Sequence, residues 1–435
     1  MRAIFVLLAL FALTLAACQP IAPVEQTSPA ETSPTRGFTP SPALTQTETP
    51  TSPPTSGGPA TLVIWVPPQF DPNSDSPAGE IFKSRLQAFS QRMPGVQVQV
   101  RVKAEEGPGG LYDSLSTASA AAPDALPDLV ALPPQILQAT ALKGLLQPYD
   151  SLTIAMSDPD WYEYARQLAY LQSSLFGLPF AGDALLLVHR SEAVNGAVDG
   201  ALRDWQAVLD AEEPLMFAAA DPQALFTLSQ YQANGGTVSD DQGRPSLAAE
   251  PLEGVLTFIA QANQAEVMPD WLIEYHDYAQ LWQAFQDQRA DQTIAWTSQY
   301  LTSQADELAA TPLPTSSGEP YTLTTGWVWA LARPHGGNLE LSTRLAEFLT
   351  ESSFLAEWTQ ALGYMPPRPS ALEAWTDPVL QEQIAPVALS ARLIPPVDVL
   401  TNLGPALQQA TLAVLTKQND PATAAETASQ SLTSP

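Results

Sequence analysis

Thr61-Leu62-Val63-Ile64-Trp65-Val66, ended by Pro67-Pro68, is a short apolar run that reads as a fully buried strand. Beyond it, Ile81, Phe82, Leu86 and Phe89 recur at helical spacing across 78–92, and Met93-Pro94-Gly95 stops that run. Val96, Val98, Val100 and Val102 then alternate with polar residues, which marks a second strand. Strand, helix, strand is the parallel crossover unit of an α/β sheet. The unit repeats with a helix over 111–121 and a strand over 128–132. Helical spacing predicts further helices at 159–172, 203–210, 222–233, 248–265, 276–288, 339–350, 352–362 and 398–416.

Upstream of that strand the chain has a different character. Residues 19–60 are dominated by Pro, Thr and Ser and hold hardly any aliphatic side chain. Such a segment cannot bury enough apolar surface to offset its ordering entropy, so 18–60 is expected to be a disordered tether. As a flexible coil it would span roughly 35 Å, and its prolines would extend it toward about 130 Å. Before it, Arg2 and the apolar stretch 3–13 have the form of a secretory signal, too short to span a bilayer comfortably. The signal ends in Leu15-Ala16-Ala17-Cys18, which is similar to a bacterial lipobox, and Cys18 is the one cysteine in 435 residues. Residues 1–17 are therefore expected to be a lipoprotein signal peptide and Cys18 the lipidated mature N-terminus. A general secretory signal with an incidental thiol is the alternative.

Composition narrows the partners. The formal net charge is −28, one unit more negative if Arg2 is removed with the signal. A surface of that sign repels phosphate backbones and anionic headgroups, which argues against nucleic acid and against electrostatic membrane attachment. Membrane attachment would have to come through the lipid, and several acyl chains on one cysteine anchor durably where one does not. No second cysteine is present to form a disulfide. His189, His276 and His335 are far apart, no metal-ligand spacing occurs, and no cofactor is expected. About 375 residues from Thr61 onward suffice for two domains.

Seven segments, none specific alone, then fall in one order. They are Leu62-Val63-Ile64-Trp65; Pro127-Asp128-Leu129-Val130 with Gly144-Leu145-Leu146-Gln147-Pro148-Tyr149; and Phe176-Gly177-Leu178-Pro179 leading to Asp183-Ala184-Leu185. Asp204-Trp205 with Leu215-Met216-Phe217 and Asp221-Pro222 comes next, then Asn234-Gly235-Gly236 with Thr293-Ile294-Ala295-Trp296. Thr311-Pro312-Leu313-Pro314 with Gly326-Trp327 follows, and Gly363-Tyr364-Met365-Pro366 closes the series. In this order the chain resembles the family 1 extracellular solute-binding proteins of ABC importers, the group that includes maltose-binding protein. The resemblance runs from 61 to about 370.

That resemblance implies an α/β, two-lobed periplasmic-binding-protein fold of type II, its lobes discontinuous in sequence with a ligand cleft between them. By position the first lobe would hold 61–189 plus 311–351 and the second 190–310 plus 352–435. Hinge closure around the ligand and a site at strand carboxyl ends follow from such an architecture. Carried over by motif, the ligand-binding candidates are Gln69, Phe70, Asp183, Asp221, Gln223, Trp296, Trp327 and Tyr364. A sugar pocket needs flat apolar faces and planar polar groups, which these residue types supply. Each has a plainer role open to it: Asp183 and Asp221 as caps of backbone amides, Phe70 as an exposed loop aromatic, Tyr364 buried by the preceding helix. Trp327 and Trp329 alternate along one strand, so one of them is expected to face the core.

Departures from the resemblance count as well. Gln223 stands where maltose-type members carry a stacking tyrosine, Leu132 where they have tryptophan, and the stretch Asn402-Leu403-Gly404-Pro405 lacks their aromatic. A maltodextrin ligand is therefore disfavoured. Val188-His189-Arg190 also differs from the family's usual end of the crossover strand. The expected function is capture of a small solute, a carbohydrate by class, for an ABC permease, by a monomer that does no chemistry. Two alternatives are a sensor or surface scaffold of the same fold, and a secreted lipoprotein hydrolase. Neither a Gly-x-Ser-x-Gly elbow nor a His-Glu-x-x-His pair is present to support the hydrolase.

Overall fold

The computed structural model describes residues 60–190, 202–303, 307–332 and 338–433. The expected signal peptide, Cys18, the expected tether up to residue 59 and His335 lie outside the described residues. In chain order the strands are β1 (Ala60–Val66), β2 (Val96–Val102), β3 (Leu129–Leu132), β4 (Tyr170–Leu171), β5 (Ser174–Leu175), β6 (Leu178–Arg190), β7 (Leu215–Met216), β8 (Gln292–Trp296), β9 (Leu308–Thr311), β10 (Thr322–Leu331) and β11 (Ala391–Leu393). The first eight helices are α1 (Pro77–Arg92), α2 (Leu111–Ala121), α3 (Pro134–Leu142), α4 (Glu163–Ala169), α5 (Trp205–Asp210), α6 (Leu225–Ala233), α7 (Ala249–Gln264) and α8 (Tyr278–Gln286). The others are α9 (Thr297–Ser303), α10 (Leu339–Phe348), α11 (Ser352–Leu362), α12 (Pro369–Glu373), α13 (Pro378–Ser390), α14 (Val397–Leu415) and α15 (Pro421–Thr433).

The opening unit forms as its pattern requires. β1 lies parallel to β2 on one side and to β3 on the other, so its residues from Leu62 to Val66 are buried. β2 is at the sheet edge, and its Gln97, Gln99 and Arg101 face solvent. Ser76 begins α1 by accepting a hydrogen bond from Gly79 N–H at 3.1 Å, with Pro77 in the first helical position where its missing donor costs nothing. Asp128, nearly closed to solvent, ties the start of β3 to β1: its Oδ2 accepts from Val63 N–H at 2.8 Å, and its own N–H donates to the Val63 carbonyl at 2.8 Å. Asp128→Ala leaves that buried amide without its acceptor. The expected loss is about 2 kcal/mol in chemical denaturation, with Asp128→Asn losing less because its amide oxygen can still accept.

The hydrogen-bonded order is β2-β1-β3-β10-β6-β8-β7, with β11 beside β10 and β9 beside β6. β6 holds the two ends together. Its residues up to Ala184 pair antiparallel with β10, whereas those from Leu185 onward pair with β8 and β9. Helices follow this division: α1 packs on β2 and α11, and α3 and α10 pack on β10, while α8 packs on β8 and α14 and α15 pack on α7.

Beyond residue 351, α11 packs on α1, with the Trp358 and Phe82 ring centroids 4.8 Å apart, while α14 packs on α6 and α7 and α15 on α7. Two expectations are corrected. The helix expected over 159–172 is confined to Glu163–Ala169, because Gln172 takes φ 58° and turns the chain into the β4–β5 hairpin. Trp327 and Trp329 do not divide between core and cleft. Residues two apart on a strand share a face, and although a register shift falls between Trp327 and Val328, both rings pack into the same aromatic cluster.

Candidate functional site

β7 leads into a buried loop that ends at Asp221. The Asp221 carboxylate starts α6, with Oδ1 accepting from Gln223 N–H and Oδ2 from Leu225 N–H, both at 3.0 Å. Its burial pushes its pKa upward, and the nearby Asp277 adds to that. Behind this loop α14 comes so close that a Cβ on Gly404 would lie 2.3 Å from the Pro222 carbonyl oxygen. A glycine is required for that approach.

Asp277 caps α8 by accepting from Gln280 N–H at 2.8 Å. The next residue, Tyr278, presents its ring edge-on to Trp296 with centroids 5.7 Å apart. Trp296 ends β8 and is half-buried. Gln299 fixes its position: Gln299 Oε1 accepts from Trp296 N–H at 2.9 Å, and Nε2 donates to the Tyr278 carbonyl at 2.8 Å. Asp221, Gln223, Asp277, Tyr278, Trp296 and Gln299, with Leu225 and Ala279, line a concavity of about 410 Å³. Three of the residues expected from sequence, Asp221, Gln223 and Trp296, thus meet in one place.

Asp183 adjoins this group from β6. Its Oδ1 accepts from Thr297 Oγ1 at 2.7 Å and from Ser298 N–H at 2.9 Å, and its Oδ2 accepts from Ser298 Oγ at 2.7 Å. Burial raises its pKa to about 6 against those three hydrogen bonds. Asp183 and Glu105 both push the Tyr364 phenol further upward, in the direction that its burial already takes it. Glu105 Oε2 in turn accepts from Gln69 Nε2 at 3.1 Å. Gln69, Asp183 and Tyr364 therefore belong to a polar strip reaching from the concavity to the loop after β1.

Phe70 and Trp327 are placed differently. Phe70 is 2 % exposed and Trp327 5 % exposed, with ring centroids 5.1 Å apart. Phe70 also packs against Phe180 at 5.1 Å, Trp358 at 5.8 Å and Tyr364 at 6.0 Å. The expectation of an exposed loop aromatic at 70 is corrected, since its ring is taken up by the core, and Trp327 offers a ligand no open face in this conformation. Leu132, fully buried and paired with Val328, offers none either.

Sequence reasoning missed Asp277, Tyr278, Gln299 and Glu105. A helix starting near 276 could have pointed to Asp277 as its cap. Glu105 follows the carboxyl end of a strand in a parallel pair, where α/β sheets place ligands. Nothing local points to Gln299. A larger concavity of about 620 Å³ borders α14 and α15, but its lining is mainly Ala, Gln and Thr with no aromatic face. Among the described residues no group of three His, Cys, Asp or Glu side chains could hold a metal ion, and no helix is long and apolar enough to cross a membrane.

The Asp183 shift has a consequence in solution. With a folded pKa of about 6 against 3.8 for the free group, the native chain binds the extra proton between about pH 4 and 6. This contribution to stability is therefore fully present below about pH 4 and is lost as pH rises through 6. Its size is at most about 3 kcal/mol, because part of the side chain remains in solvent. Asp183→Asn should flatten that limb of the stability profile, read as the difference between the two proteins in thermal midpoint from pH 4 to 7.

Comparison with known proteins bears on this geometry. A family model described as bacterial extracellular solute-binding protein matches residues 73–351. Sequence comparison with curated proteins returns no match. Among solved structures, the cyclic alpha-maltosyl-1,6-maltose binding protein of Arthrobacter globiformis superposes with TM-score 0.70 at 15 % identity, covering 86 % of this chain and 98 % of its own. Maltose-bound MalE3 of T. maritima gives 0.63 at 18 % identity, covering 86 % and 99 %. An ABC transporter solute-binding protein of Thermotoga lettingae bound with alpha-D-tagatose gives 0.63 at 20 % identity, covering 86 % and 98 %. At such identities the likeness is one of fold, a mixed α/β periplasmic-binding-protein fold over most of the chain.

Proposed function

Because this chain belongs to the bacterial extracellular solute-binding protein family, a family of binding proteins and not of enzymes, we propose that it captures a sugar and hands it to the permease of an ABC importer. The observation that carries the sugar reading is the half-buried Trp296, whose backbone N–H donates to Gln299, beside the Asp221 and Asp277 carboxylates and the Gln223 side chain in one concavity. A stacking face bordered by planar hydrogen-bonding groups suits a polyhydroxylated ring. Gln69, Asp183 and Tyr364 continue the polar lining, and movement of the two ends of β6 relative to each other would close the site over its ligand. Maltose bound by one fold relative and alpha-D-tagatose bound by another support the same class.

We also infer that Cys18 carries a lipid and that the Pro/Thr/Ser-rich segment after it serves as a tether. The motif at 15–18 supports this, and mass spectrometry of the mature N-terminus tests it. The ligand reading is tested by a thermal-shift screen with a broad set of mono- and oligosaccharides. Stabilisation by at least one neutral sugar is expected, and no shift with any of them would remove the carbohydrate assignment. A sensor role is the second reading, favoured by Gln223 and Leu132 standing where maltose-type members have aromatics. A histidine kinase gene beside this one, in place of permease genes, would favour it.

A further inference from the structure

The candidate site has one sign of charge. Asp221 and Asp277 line the concavity, and none of its lining residues is basic. Further along the strip stand Asp183 and Glu105. The charges that act on Asp221, Glu105, Tyr278 and Tyr364 are all carboxylates: Asp277 on Asp221, Glu106 on Glu105, Asp221 on Tyr278, and Asp183 with Glu105 on Tyr364. Cations nearby in the chain are engaged elsewhere. Lys103 lies over the Trp65 ring at 4.8 Å, and Arg289 is paired with Glu274 at 3.1 Å and stacked on Trp271. The Tyr278 hydroxyl, closed off beside Asp221 and the Phe226 backbone, has no well-formed hydrogen bond.

Resting on the sugar reading above, we propose that the site selects its ligand by charge: it takes neutral and ammonium-bearing sugars and rejects those carrying a carboxylate or phosphate. A ligand anion brought within several ångströms of two or more carboxylates, in a partly desolvated cleft with no counter-cation, is repelled strongly. An ammonium group there meets partners instead, and a neutral polyol still finds the Trp296 face with the carboxylate and amide acceptors. Selection of this kind works by rejecting the wrong ligand as much as by holding the right one.

Isothermal titration at pH 7 and low salt tests it with matched probes: glucose, glucosamine and glucuronate; galactose, galactosamine and galacturonate; and the disaccharides maltose, chitosan dimer and digalacturonate. Each acid should bind at least tenfold more weakly than its neutral counterpart, and each amine at least as tightly. Raising the salt concentration should narrow the gap. The double variant Asp277→Asn/Glu105→Gln should shrink the acid-to-neutral ratio at least threefold. Asn caps a helix as well as Asp does, and Gln at 105 can still accept from Gln69, so the variant should fold. An acid binding within threefold of its neutral counterpart, or a ratio that the double variant leaves unmoved, overturns the charge selection while leaving the sugar reading intact. Binding of no sugar of any charge overturns the sugar reading, and the charge selection with it.

Discussion

Trp358→Ala should cost about 3–5 kcal/mol of folding stability, a large share of what a protein of this kind possesses. The ring is fully buried on α11, with centroids 4.8 Å from Phe82, 5.1 Å from Phe354, 5.4 Å from Phe180, 5.8 Å from Phe70 and 6.4 Å from Trp329. These partners come from α1, α11 itself, β6, the loop after β1, and β10. Removal of the indole would open a cavity at the meeting point of four other segments, which could not all collapse into it. Guanidinium denaturation measures the loss, and Trp358→Phe should forfeit about 1–2 kcal/mol because it refills most of the volume. A cost below about 1 kcal/mol for the alanine variant would mean that the cluster repacks freely. Weaker ligand binding is also expected, since Phe70 sets the position of Tyr364 in the polar strip.

Trp296→Ala should lower sugar affinity at least about 30-fold, equivalent to about 2 kcal/mol, which is typical for an aromatic anchor in a pocket. Its effect on stability should be far smaller than that of Trp358→Ala, because one part of the ring is solvated and its main aromatic partner is the Tyr278 edge. This contrast separates a binding role from a packing role. Titration with the best sugar from the thermal-shift screen, beside a thermal melt of the same variant, supplies both readouts. Trp296→Tyr should recover part of the affinity through its remaining flat face. Unchanged affinity in Trp296→Ala would show that the ligand does not stack there.

Several residues of the site were legible in the amino-acid order and others were not. Asp221 and Trp296 were reached through the order of motifs behind the family resemblance, which placed them in loops at strand ends, where α/β sheets carry their sites. The plainer reading of Asp221 holds, since both carboxylate oxygens accept backbone amides at the start of α6. A carboxylate can cap a helix and still line a cavity, so the two roles do not compete. For Phe70, named as a ligand candidate, the plainer alternative of an exposed loop aromatic fails, because the loop folds back over β10 and α11. Local polarity carries no information about what covers a side chain from 250 or more residues away.

Helix boundaries show the same division. The runs at 78–92, 111–121, 248–265 and 352–362 were readable because large apolar residues recur on one face of each. α9, α12, α13 and α15 were missed: α9 and α12 span only seven and five residues, α13 carries Pro386 in its interior, and α15 is mostly Ala, Ser and Thr, so none shows a marked apolar stripe and each is held by packing on other elements.

By itself the sequence determined the α/β class, the first strand-helix-strand unit, the acidic charge, the Leu15–Cys18 motif and the order of motifs behind the family resemblance. All of these reside in neighbours along the chain or in composition. Only the tertiary structure decided that β6 exchanges β10 for β8 and β9 along its length, that α11 returns to α1, and that Phe70 and Trp327 lie in the core. It alone brought Asp277 and Gln299 beside Asp221 and Trp296, and aligned Asp183 with Tyr364, Glu105 and Gln69. The physical reason is that strand period and helix period record which faces are apolar, whereas a binding site is set by which distant loops pack together, and that depends on sheet order and the volume of every side chain between them.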